Sequence, residues 1–169
     1  LIENKNVLEL GAASALPSII CSFHNPKNLV VTDYPDADLM GNIQFNVDEL
    51  CKRDDPNKTN SNILVQGYIW GNETSEIVNF VHNNKAQTTN TPTNTTIDTT
   101  FINEEDKFDL IILSDLVFNH TEHHKLLRTC RELLSKNGKC LVVFSPHRPK
   151  LLENDLHFFH SPFCMQKFS

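Results

Sequence analysis

Short apolar runs recur along this chain, and the stretches between them relax into a helical spacing. Asn6-Val7-Leu8-Glu9-Leu10 reads as a buried strand that runs straight into Gly11. The small and apolar residues of 12–24 predict a helix, with Pro17 early enough for its missing N–H to be tolerated. Asn25-Pro26-Lys27-Asn28 is a turn, and Leu29-Val30-Val31-Thr32-Asp33 is a β-branched strand that ends on an acid. A helix over 36–51 follows, with Asp36 as its cap, then a polar loop over 53–62. Ile63-Leu64-Val65 starts a third strand that leads to Gly67-Tyr68-Ile69-Trp70-Gly71. Phe108-Asp109-Leu110-Ile111-Ile112-Leu113-Ser114-Asp115 is nearly continuous apolar sequence, as buried parallel strands are. A helix over 121–136 carries Leu126, Leu127, Cys130, Leu133 and Leu134 on one face and ends at Asn137-Gly138. The fifth strand centres on Cys140-Leu141-Val142-Val143-Phe144, and a last helix over 150–159 follows two prolines.

Strands alternating with helices predict an α/β fold: a Rossmann-like three-layer sandwich with a mainly parallel sheet, as one domain over 1–169. One stretch breaks the pattern. Residues 83–106 contain Thr88-Thr89-Asn90-Thr91-Pro92-Thr93-Asn94-Thr95-Thr96, which has nothing to offset the entropy of ordering, and predict an exposed, mobile insertion. In open α/β sheets, ligands bind outside the carboxyl ends of the strands. Gly11, Asp33, the segment 67–70, Asp115 and Ser145 all fall at such ends.

Composition narrows the function classes. The chain has 169 residues, 39% hydrophobic and 21% charged, enough apolar sequence for a packed core. A formal net charge of -6 argues against broad contact with nucleic-acid phosphates. No apolar run is long enough to span a membrane. The five cysteines are scattered and never spaced as CxxC, so neither a disulfide framework nor a zinc ribbon is indicated, and a cytoplasmic setting is expected. The chain opens on Leu1, and we read it as part of a longer protein, incomplete at both ends.

The candidate chemistry starts at Glu9-Leu10-Gly11-Ala12-Ala13-Ser14, a strand-to-helix turn. Gly11 can take a positive φ or admit a ligand against the backbone, and it can equally serve a tight turn with no ligand. Without the later glycines of GxGxxG, the turn suits a ligand lacking phosphates better than a pyrophosphate. Asp33 stands about 20 residues on, where a carboxylate receives ribose hydroxyls. Trp70 either borders a base or is a core aromatic. Asp115 either faces the pocket or caps the next helix. Phe118, Asn119 and His120 extend from it and would shape a substrate channel. His120, His123 and His124 are not HExxH, so a solvated first turn is expected and no metal site.

Val7 to Ala13, Asp33, Gly67 to Gly71 and Ser114-Asp115-Leu116-Val117-Phe118-Asn119-His120 together resemble the seven-strand S-adenosylmethionine methyltransferases. More narrowly, they resemble the lysine methyltransferases marked by Asp-x-x-Tyr after the fourth strand. Ser145-Pro146-His147-Arg148-Pro149 is also similar to the fungal group acting on the N-terminus and a lysine of translation elongation factor 1-alpha, formerly labelled nicotinamide N-methyltransferases. The resemblance implies S-adenosyl-L-methionine as cofactor and a protein substrate, elongation factor 1-alpha, in a monomer that contacts neither nucleic acid nor membrane. It implies a cofactor site of Glu9, Gly11, Ala12, Ala13, Asp33, Trp70 and Ser114. Asp115 would sit near the substrate amine, with Phe118, Asn119 and His120 beside it. Phe118 stands where the family has Tyr, so a hydroxyl role is lost there. The family's upstream cofactor-contacting Trp and its N-terminal segment have no counterpart, and its last strands are absent or incomplete. The other readings are a small-molecule amine methyltransferase, a nicotinamide-dinucleotide oxidoreductase and a non-catalytic binding module.

Overall fold

A computed structural model describes residues 2–54, 62–89 and 102–161. The elements run β1 (Asn6–Leu10), α1 (Leu16–Ser22), β2 (Asn28–Asp33), α2 (Ala37–Asp54), β3 (Ile63–Gly67), α3 (Ser75–Thr89), β4 (Phe108–Ser114), α4 (His123–Leu133), β5 (Leu134–Val143) and α5 (Leu152–His160). The strands form one parallel sheet in the order β3-β2-β1-β4-β5. Among the described residues the sheet therefore has five strands, where the resembled family has seven. No described helix is long and apolar enough to cross a membrane.

Side chains alternate across a strand, and the two faces bury two separate cores. Leu8, Leu10, Val30, Ile111 and Leu113 pack on one face with Ile77, Val78 and Val81 of α3 and Leu126, Leu127, Cys130 and Leu133 of α4. Val7, Leu29, Val31, Leu110 and Ile112 pack on the other with Ile19 of α1 and Ile43 and Val47 of α2. This is the three-layer sandwich expected of the pattern. Because β1 lies between β2 and β4, the chain direction of winding reverses there, and the β1/β4 carboxyl edge is the switch point where such folds form a crevice.

Several boundaries differ from the sequence reading. The first helix begins at Leu16, not at 12, because Gly11, Ala13 and Ala15 take left-handed φ values of 66°, 50° and 60°. The fourth helix ends at Leu133. Leu134 is already extended and pairs with Phe108, while Asn137 and Gly138 lie in a register shift of β5 rather than closing a helix. Gly138 is needed there, since a Cβ would come 2.7 Å from the Phe108 carbonyl oxygen. Helix α3 had no counterpart in the sequence reading. Its Asn- and Thr-rich second half hides the apolar face that Ile77, Val78 and Val81 form.

Helix α3 also runs into the expected insertion, to Thr89. At the other margin, Ile102 packs on the core and Asp106 is buried with His82 Nδ1 3.0 Å from its Oδ2. The centre of the insertion, 90–101, lies outside the described residues, as does most of the polar loop read over 53–62.

Candidate functional site

The carboxyl edge is built in two parts. At the first, β1 ends and the backbone turns sharply at Gly11. A Cβ there would lie 2.5 Å from Leu116 Cδ2 and 3.3 Å from Trp70 Cζ2, so glycine is required by packing as well as by its φ of 66°. The left-handed Ala13 and Ala15 each cost about 1–2 kcal/mol, and the surrounding hydrogen bonds hold them. Ala12 N–H donates to the Thr32 carbonyl at 3.0 Å, Ala15 N–H to the Ala12 carbonyl at 2.7 Å, and Ala13 N–H to Asp33 Oδ2 at 2.7 Å.

Asp33 thus joins the glycine turn to the end of β2. Its Oδ1 accepts the Tyr34 N–H at 2.6 Å. An ionised carboxylate offers roughly four acceptor positions, so two remain for the vicinal hydroxyls of a ribose. Glu9 works from beneath. It is fully buried, and its Oε2 accepts the Ser18 N–H at 3.0 Å and the Ser18 hydroxyl, so it fastens the first turn of α1 under the glycine turn. Its Oε1 is buried with no partner among the described residues. Burial pushes its pKa up to about 7, against the Ser18 hydrogen bonds that lower it, with nearby Asp33 adding a small rise.

Trp70 sits on a loop that α4 holds. The Tyr68 hydroxyl lies 3.1 Å from Thr129 Oγ1, and the same oxygen accepts the Gly71 N–H at 2.9 Å. Thr74 donates to Glu132 at 2.6 Å. Trp70 is partly buried against the core, next to Leu116 and Gly11. It is therefore both a core aromatic and a wall of the glycine turn. A cleft of about 430 Å³ opens beside this loop, lined by Pro35, Gly67, Tyr68, Ile69 and Asn72 among others. The residues present fit a nucleoside cofactor. Asp33 has spare acceptor capacity, the turn lacks a phosphate cradle, and an aromatic wall stands beside the glycine.

The second part lies beyond β4 and β5. Ser114 ends β4, and Asp115 takes a left-handed φ of 60°. Its N–H donates to the Val143 carbonyl at 2.7 Å, its Oδ1 accepts the Ser145 N–H at 3.3 Å, and its Oδ2 lies 2.7 Å from His147 Nε2. It does not cap the following helix; its carboxylate is turned to the loop after β5 and remains 46% exposed. The exposed Phe118 ring meets His147 edge-on at 5.7 Å, and Arg148 donates to the Phe118 carbonyl at 3.2 Å.

Two candidates are drawn elsewhere. His120 Nε2 lies 2.5 Å from Oδ1 of the buried Asp155 on α5, and Asn119 Oδ1 accepts from the Thr121 hydroxyl at 3.2 Å. His123 Nε2 lies 2.6 Å from the Val117 carbonyl oxygen and its ring stands edge-on to Phe158. The expected solvated turn is therefore, at His120 and His123, a set of tertiary pins, because these rings reach buried partners. No group of three metal-ligating side chains occurs among the described residues. In the sequence, His147 stands out only within a resembling segment, and Thr129 does not stand out at all. An isolated histidine in a loop and a threonine inside a helix carry no local pattern that would mark them.

Comparisons with known proteins place the chain among methyltransferases. Residues 78–162 match a family described as lysine methyltransferase. A protein N-terminal and lysine N-methyltransferase of Debaryomyces hansenii is 52% identical over 161 residues, covering 95% of this chain and 55% of that protein. The chain thus spans about half the length of the curated relatives it matches. Among solved structures, precorrin-6Y C5,15-methyltransferase from Geobacter metallireducens superposes with a TM-score of 0.54 at 12% identity, over 95% of this chain and 63% of that one. An S-adenosylmethionine-dependent methyltransferase from Mesorhizobium loti gives 0.51 at 13% identity, over 83% and 47%. At such identities the likeness is one of fold, that of the class I methyltransferases.

Proposed function

The chain belongs to the lysine methyltransferase family, and from that premise we propose that it moves a methyl group from S-adenosylmethionine to an amine of a protein. The finer reading is the N-terminal amine or a nearby lysine of elongation factor 1-alpha. The fungal resemblance of the glycine turn, the Trp70 loop and the segment 145–149 supports it, and the name of the Debaryomyces relative supports an N-terminal amine and a lysine as the two kinds of acceptor. The observation that carries the reading is the pairing of two carboxylates across the β1/β4 switch point. Asp33 is bonded into the glycine turn on one side, and Asp115 is held open on the other.

When bound, the cofactor supplies a methyl group already activated by its sulfonium. The protein therefore needs little acid or base strength. Asp33 would take the ribose hydroxyls, Gly11, Ala12 and Ala13 would line the methionine and ribose part, and Trp70 and Ser114 would complete the cofactor pocket. Glu9 is a positioning residue for this end. Asp115 binds and orients the amine, and Phe118 forms an aromatic wall for the methylated cation. The amine must arrive neutral. An α-amine, with pKa about 7.7–8.0, sheds its proton more readily than a lysine at about 10.4. Orientation alone can contribute roughly 7–11 kcal/mol.

The test uses the full-length protein with methyl-tritiated S-adenosylmethionine and a cytosolic extract. Label enters one protein band near the size of the elongation factor. Asp115→Ala lowers transfer by about a hundredfold or more and leaves cofactor affinity within about threefold. Label only in small molecules would make it a metabolite methyltransferase. Binding without transfer by folded wild-type protein would make it a non-catalytic module. Equal losses of transfer and cofactor affinity would remove Asp115 from the acceptor role.

A further inference from the structure

The proposed amine-binding carboxylate is not held by its own strand. Asp115 lies past the end of β4, in a left-handed conformation, with its side chain half exposed. A carboxylate so placed turns freely about χ1 and χ2 unless something fixes it. Two groups from the loop after β5 reach it. The Ser145 N–H is a long 3.3 Å from Oδ1, whereas His147 Nε2 is 2.7 Å from Oδ2. An ionised carboxylate only accepts, so Nε2 carries the hydrogen. The imidazole is itself held: Phe118 stands edge-on to it with an interplanar angle of 87°, and Arg148 ties the two loops together through the Phe118 carbonyl. Pro146 and Pro149 flank the His147-Arg148 pair and narrow the backbone's freedom.

We propose that His147 is a positioning residue for methyl transfer. By donating from Nε2 to Asp115 Oδ2, it fixes the carboxylate so that its remaining acceptor positions face the incoming amine. The inference rests on the proposed role of Asp115. It adds that the acceptor half of the site is assembled from two strand ends, with the β5 loop setting the geometry. An error of about 1 Å in such a placement can cost roughly a hundredfold in rate.

Variants of the full-length protein separate the hydrogen bond from ring packing. His147→Phe keeps a ring beside Phe118 and removes the donor. His147→Gln keeps an N–H at nearly the same reach. Transfer of tritiated methyl into elongation factor 1-alpha is followed at saturating cofactor, with extract protein as acceptor if that factor is not labelled. Calorimetry gives the cofactor affinity. His147→Phe should lower kcat by about ten- to a hundredfold, with cofactor affinity within about twofold, and His147→Gln should recover most of the loss. In an Asp115→Ala background, His147→Phe should cost almost nothing more, because the group it positions is gone. Unchanged kcat in His147→Phe, His147→Gln that folds and is no better than Phe, or full additivity with Asp115→Ala would each overturn the proposal. Asp115→Ala without effect would instead sink the acceptor role on which the proposal rests.

Discussion

The two halves of the carboxyl edge are held by different means. At the β1/β2 half, backbone N–H groups do the fixing: Ala12 to Thr32, Ala13 and Tyr34 to Asp33, and Ser18 to Glu9 beneath. At the β4/β5 half, the Asp115 backbone is tied to Val143, but its carboxylate depends chiefly on His147. The first half includes a fully buried carboxylate, whereas Asp115 and His147 are 46% and 50% exposed. The difference suits two tasks. Under the proposed function, a cofactor of fixed shape can be met by a rigid turn, whereas the protein amine must enter and leave, which favours an open group held chiefly by one exchangeable contact.

The contrast can be tested hardest at Glu9, the fully buried carboxylate beneath the glycine turn. Its ordinary pKa of 4.5 rises to about 7 in the folded protein. Between those values the folded state binds more protons than the unfolded chain, so stability falls as pH rises. The contribution is fully present below 4.5 and lost as pH passes 7. It amounts to something on the order of 3 kcal/mol. The melting temperature of the wild-type full-length protein should therefore drop from pH 5 to pH 8 relative to Glu9→Gln, with the difference read by calorimetry. If the two melting curves stay parallel across that range, the glycine turn is not the pH-sensitive half.

A smaller effect is expected at Asp33. Asp33→Ala removes the acceptor for the Ala13 and Tyr34 N–H groups and the proposed ribose contact. Hydrogen bonds to a charged group contribute about 1.5–3 kcal/mol each. Cofactor affinity should fall by about ten- to a hundredfold, while kcat at saturating cofactor changes little. A large loss of kcat with intact affinity would show that the halves do not work independently. The mildest change is Thr129→Val, which deletes the hydroxyl that accepts the Gly71 N–H and meets the Tyr68 hydroxyl. About 1 kcal/mol of stability should go, with a several-fold weaker cofactor affinity and an unaltered response to His147→Phe. Denaturant unfolding and cofactor titration would measure it.

How far the site could be read in advance follows the same division. Gly11 and Asp33 were legible because each sits at the end of a strand whose apolar run marks it, and the glycine-to-acid spacing reflects one strand-helix-strand unit. Asp115 was legible for the same reason. The partners of Asp115, His120 and the Trp70 loop were not. His147, Asp155 and Thr129 lie 32, 35 and 58 residues away along the chain from Asp115, His120 and Gly71. No local pattern records such pairs. The helix expected from 12 failed because a tertiary hydrogen bond to Asp33 holds Ala13, and a local turn onto the Ala12 carbonyl holds Ala15, left-handed against their own propensity. Leu134, where the fifth strand begins, fits a helix in sequence because its apolar side chain also completes the helical face, and pairing with Phe108 decides between the two.

The chain's own order of apolar and polar residues thus determined the parallel sheet, its covering helices and the edge at which chemistry collects, because burial of apolar periods is a local property of the sequence. Only the tertiary structure decided which way Asp115 faces, what Glu9 supports and where His120 is spent. Those outcomes depend on side chains meeting across separate strands and helices, and packing selects among contacts that the sequence leaves equally open.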